Sequence, residues 1–174
     1  MKYQLLMTLV VTGFLSINAK AQSVAIDVTL KPAGSFTAKT SKVKGVAYQS
    51  GDTVTAENIL VDLRSIDTGI ALRDKHTKER MMVDKYPVAK LVKATGKGGK
   101  GKATLQIKGT TQEVDGTYKI EGGNLVAQFK MLASKIDITG VKYMGVGVSD
   151  EVTVNVTVPV KEGVAPTAST AKAN

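Results

Sequence analysis

The chain has no cysteine, so disulfides, thiolate metal sites, cysteine nucleophiles and an acylated lipoprotein cysteine are all excluded. Tryptophan is absent as well, and aromatics make up only 5% of the residues. That is too sparse a supply of stacking surfaces for a single-strand nucleic-acid binder, and no nucleic-acid partner is expected. One histidine, His76, would have to carry any nucleophilic or metal chemistry. Asp74 is two positions away, which on a helix points it elsewhere. No G-x-S-x-G elbow occurs, and one histidine with carboxylates makes a poor zinc set. No catalytic residue, metal or cofactor is assigned. Glu57, Glu79, Glu113, Glu121 and Glu151 are available as a carboxylate pair, but nothing singles any of them out. A long hydrophobic run is missing too. Leu5 to Leu15 is about half of the roughly 20 residues that a membrane span needs. With Lys2 before it and Ala19-Lys20-Ala21 after it, the run reads as a signal peptide over 1–21. The mature chain is expected to be exported, soluble and periplasmic.

What is present is basic. Lys and Arg number 24 against 15 Asp and Glu. The signal takes Lys2 and Lys20 with it, leaving 22 against 15, a net +7 for the mature chain. The lysines are scattered, as on a solvated surface, although the excess suits transient contact with a membrane surface. G-K-G-G-K-G-K at 96–102 nearly spells a phosphate loop, but Ala103 stands where a magnesium-binding hydroxyl belongs. The residues that follow, A-T-L-Q-I-K-G, have the period of a strand rather than a helix, so the stretch reads as a hairpin turn.

Period-two alternation dominates the remainder. Val24, Ile26, Val28 and Leu30 share a face, as do Leu105 and Ile107, then Leu125, Phe129 and Met131, then Val152, Val154, Val156 and Val158. Pro159 is expected at a strand end. The exception is Ala71 to Met82, rich in helix formers, with Asp74–Lys78 and Lys75–Glu79 four apart. Thr68 or Asp67 is expected to cap this helix, and Pro87 lies beyond its end. Short strands, glycine turns and one helix over about 150 residues indicate a single all-β barrel or sandwich over 22–162. The tail at 163–174 has little to bury and is expected to be disordered.

Three stretches resemble the YceI-like family: V-D-L-R-S-I-D-T-G-I-A-L-R-D-K-H at 61–76 with D-K-Y-P at 84–87, G-K-A-T-L-Q-I-K-G-T-T-Q-E-V at 101–114, and Y-M-G-V-G-V-S-D-E-V-T-V at 143–154. The resemblance implies an eight-stranded antiparallel lipocalin-like barrel with one short helix, usually exported, that holds a polyisoprenoid such as an isoprenoid quinone. The family's usual opening histidine is missing here. Met81 and Met82 also replace the paired aromatics that many members carry before D-V-x-x-Y-P.

Read in that light, the inward apolar lining comprises Phe36, Ile59, Val61, Leu63, Leu105, Ile107, Leu125, Phe129, Met131, Val154 and Val156, with Met81 and Met82 closing the mouth. Arg73, His76 and Lys78 are the headgroup candidates. The partner expected is a long-chain apolar lipid, taken up for sequestration or transport. A homodimer is left open. Two other classes remain at this point: a filled barrel that binds a protein or an anionic envelope polymer through its surface, and a carboxylate hydrolase.

Overall fold

The computed structural model describes residues 22–143 and 145–164. The segment expected to be a signal peptide, 1–21, and all but the first two residues of the tail lie outside them. Eleven strands form one sheet: β1 (Ser23–Lys31), β2 (Ser35–Thr40), β3 (Val43–Lys44), β4 (Ala47–Ser50), β5 (Thr53–Asp62), β6 (Val88–Lys97), β7 (Lys100–Ile107), β8 (Thr110–Glu121), β9 (Asn124–Leu132), β10 (Lys142–Tyr143) and β11 (Val146–Glu162). One helix, α1 (Ala71–Met81), and two 3-10 turns, Leu63–Ser65 and Ala133–Ile136, complete it.

From β4 to β9 each strand is antiparallel to the next, and β9 is antiparallel to β11. The last residues of β11 then run parallel to β4, which closes a ring of seven strands. β1 occupies the same edge of β11 from Gly147 to Thr157, and β2 lies on β1. β2, β3 and β4 form one extended segment with two breaks; counting them as one strand and setting aside the two-residue β10 gives the eight strands expected. Pro159 lies within β11, not at its end. On one side it faces Asn124, and on the other it falls where the edge passes from β1 to β4. A residue without an N–H fits there because neither neighbour needs that donor.

β2 does not pair with β5, so the wall has a gap. The 63–70 segment and α1 cover it. Lys39 and Asp67 exchange N–H···O bonds of 2.8 and 2.9 Å, and the Leu63 N–H donates to the Pro87 carbonyl at 2.8 Å. Ala38, Leu63, Ile66 and Val83 pack as a small second core beneath this cover.

Gly98 (φ 59°) and Gly99 (φ 79°) make the two-residue turn between the paired Lys97 and Lys100. Two consecutive positive φ values suit the right-handed twist of a hairpin. The segment that resembled a phosphate loop is therefore the β6–β7 connection. Gly96 serves the core. A Cβ there would run into the Tyr118 ring, which lies across it.

α1 begins at Ile70, which offers no side-chain cap. The expected caps act otherwise: Asp67 accepts from the Gly69 N–H at 2.7 Å, while Thr68 donates to Asp74. Met82, expected inside the helix, ends it in the left-handed conformation (φ 51°), with its N–H on the Glu79 and Lys78 carbonyls.

Candidate functional site

The inside of the barrel is divided into a filled half and a hollow half. At one end Ala47, Val54, Ala56, Leu125 and Val158 pack together as a buried core. Ala47 pairs with Ala56, and Leu125 with Val158, and all four are buried in this core. Beyond them the strands diverge around a cavity of about 850 Å³. That is towards the upper end of ligand pockets, which typically span roughly 300–1,000 Å³.

Every apolar residue named from the sequence lies on this cavity's wall except Leu125 and Met82. Leu125 shares a face with Phe129 and Met131, but it stands four residues nearer the filled end and belongs to the core there. Met82 does not close the mouth. Its left-handed backbone turns it away from the cavity, and it is exposed. Met81, on the last turn of α1, does face the cavity. Of the headgroup candidates, Arg73 and His76 lie on the wall, and Lys78 does not. On α1 the cavity wall takes Leu72, Arg73, His76, Thr77, Glu79, Arg80 and Met81, a broad inward face that leaves Lys78 out.

The site reading from sequence omitted the β1 face, Val24, Ile26, Val28 and Leu30, along with Val148 and Val152 of β11. The alternation that marks β1 as a wall was visible. What was not visible is that β1 and β9 flank the same long strand, Val154 facing both Ile26 and Phe129. Ile136 and Ile138 were missed because they lie on and just after a 3-10 turn, where no period-two pattern signals them.

The wall's polar content is concentrated at the mouth, which opens between α1 and the segment before β11. Here Ile70 and Leu72 are more than half exposed and Val146 is partly so, although all three line the cavity. Two carboxylates pin the rim. Asp74 accepts from the N–H and hydroxyl of Thr68, both at 2.6 Å, tying the loop to the helix. Asp150 accepts from the N–H and hydroxyl of Ser134, both at 2.7 Å, tying the second 3-10 turn to β11. These hydrogen bonds hold both carboxyls below the usual carboxylate range.

Two contacts hold Arg73. Its guanidinium lies 4.2 Å from the centroid of the Phe36 ring. One terminal nitrogen donates to the Thr68 carbonyl at 2.7 Å. Its Nε–H is buried and has no acceptor. Leaving such a donor unsatisfied costs about 1–3 kcal/mol.

Chemically, the arrangement can enclose an apolar chain. Among the described residues no group of three His, Asp or Glu side chains is placed to hold a metal ion. No described helix is long and apolar enough to cross a membrane.

A profile of the YceI-like domain matches residues 16–160. The fold is similar to that of a polyisoprenoid-binding domain from Saccharophagus degradans implicated in plant cell wall breakdown. That likeness has a TM-score of 0.53 at 15% identity, covering 80% of this chain and 93% of that one. It is also similar to BcnA of Burkholderia cenocepacia, with a TM-score of 0.56 at 15% identity over 77% and 94% of the two chains. At such identity the two structures speak for the fold alone. No curated protein matches the chain.

Proposed function

The chain belongs to the YceI-like domain family, and on that premise we propose that it is an exported lipid carrier. Its cavity would take the tail of an isoprenoid, quinone or polyprenyl, or of another long-chain lipid, with the polar end at the mouth. The observation that carries this reading is the cavity of about 850 Å³ walled chiefly by apolar side chains, with the charged ones confined to a minority. At about 0.8 kcal/mol per buried CH₂, such a wall competes strongly with water for an insoluble chain. The polyisoprenoid bound by the similar domain from Saccharophagus degradans supports the same ligand class.

The role is sequestration or transport without chemistry. The signal-like N-terminus, read from sequence, supports a periplasmic location. The exposed lip of Ile70, Leu72 and Val146 would serve for brief contact with a membrane during loading.

The test is organic extraction of the protein purified in its mature form, followed by mass spectrometry. A long-chain lipid recovered at close to one per protein is expected. If repeated preparations yield none, and the purified barrel takes up no long-chain lipid from vesicles, the reading fails.

A further inference from the structure

Resting on the lipid reading, we infer that the ligand's head is an anion, a phosphate monoester or carboxylate, held at the mouth by Arg73. A quinone ring or a free alcohol would not meet the requirements of that site.

Three observations carry this. First, the charge on the cavity wall is one-sided: Arg73, Arg80, Lys90 and Lys142 stand against Glu79. Among the described residues no carboxylate forms an ion pair with Arg73, and the nearest acid in sequence, Asp74, is committed to Thr68. Secondly, Arg73 is held in place before any ligand arrives. The Phe36 face and the Thr68 carbonyl orient its plane, so little side-chain freedom remains to be lost on binding. Thirdly, the Nε–H is buried without an acceptor. Arginine cannot shed its proton to relieve this, since its charge is permanent. An oxyanion entering with the tail supplies the missing acceptor and a hydrogen-bonded counter-charge, which Asp74, although its carboxylate feels the Arg73 charge, does not. The strongest hydrogen bonds a guanidinium makes are of this kind. Arg80, two helical turns along the same inward face, adds a second positive charge to this wall.

The experiment compares ligands that share one tail. Farnesyl phosphate, farnesoic acid and farnesol are titrated into the delipidated protein, with inorganic phosphate alone as a fourth arm. Both anions are expected to bind at least about tenfold more tightly than farnesol, the equivalent of one charge-assisted hydrogen bond. Inorganic phosphate is expected to bind far more weakly than either. In Arg73→Met the two anions should fall to within about twofold of farnesol, whose own affinity should change far less than theirs, and an unchanged denaturant midpoint checks that the barrel is intact. Arg73→Lys is the second variant, because it keeps a cation near the rim while removing the planar donor. It should retain part of the preference.

Equal binding of anions and alcohol by the parent overturns the inference and leaves the lipid reading standing. So does a preference that survives both substitutions. Inorganic phosphate binding as tightly as farnesyl phosphate would make this a free-anion site and overturn the inference as well. Failure of all the farnesyl ligands to bind the parent would sink the lipid reading itself.

Discussion

Leu125 and Phe129 share one face of β9 four residues apart, yet they should respond differently to truncation. Leu125 belongs to the packed end, so Leu125→Ala should cost about 2–5 kcal/mol by lost burial and a new cavity. Phe129 borders space that is already empty. Phe129→Ala in lipid-free protein should therefore cost less than the roughly 3–5 kcal/mol usual for a filled core. Phe129→Trp should be tolerated while lowering the lipid recovered per mole. Denaturant midpoints and extracted lipid measure both, and a severe loss of stability with Trp would mean that the barrel is dry. Met82 provides a second test at this scale. Because it holds a left-handed φ of 51° that glycine adopts without a Cβ penalty, Met82→Gly should keep or slightly raise stability. It should leave lipid binding unchanged. Loss of binding would return Met82 to the mouth.

The rim elements are held by two carboxylates whose pKa values are depressed by their hydrogen bonds, to Thr68 for Asp74 and to Ser134 for Asp150. A depressed carboxyl contributes stability that is fully present above its unfolded value, about 3.9, and is lost as pH falls through the folded value. Acidification below about pH 4 should therefore loosen the mouth before the sheet. Amide exchange should accelerate first at 67–74 and 133–138, and lipid release should follow. Asp74→Asn should remove the pH response of the first segment and spare the second. Simultaneous loss of the whole sheet would count against this order. The β6–β7 hairpin, in contrast, is held by backbone and glycine. Replacing Lys97, Lys100 and Lys102 by Gln removes only exposed ion pairs, with Asp52 for Lys97 and Asp115 for Lys102, and should leave the midpoint almost unmoved. Gly96→Ala, which sets a methyl against the Tyr118 ring, should cost about 1–3 kcal/mol.

A molecule packed at one end and hollow at the other should depend on its ligand without needing it in order to fold. The filled half and the continuous ladder hold the barrel together. A bound lipid at a hundred times its dissociation constant should add about 2.7 kcal/mol. Delipidated protein is thus expected to unfold cooperatively at a lower denaturant midpoint than loaded protein, with a similar slope. A molten, dye-binding state after delipidation would show instead that the lipid is part of the core.

The sequence by itself determined the class of the fold, because period-two alternation and paired glycines are local properties. Gly98-Gly99 specifies a hairpin whatever else surrounds it, and Ala71–Met81 is helical through its own composition. It also determined which face of β5, β7, β9 and β11 turns inward. Tertiary structure alone decided which inward residues bound a void. Leu125 and Phe129 are indistinguishable by alternation, and only the folded sheet sets Leu125 among the buried Val158, Ala47 and Ala56 and leaves Phe129 on the cavity wall. The same holds at the mouth. Nothing local distinguishes Arg73 from Lys78, both cations on one helix. The way α1 lies over the gap between β2 and β5 turns Arg73 onto Phe36 and into the cavity, and leaves Lys78 outside it. Periodicity records which face of an element is apolar. How far apart two such faces stand depends on side-chain volumes from strands remote in sequence, and that distance separates a core from a cavity.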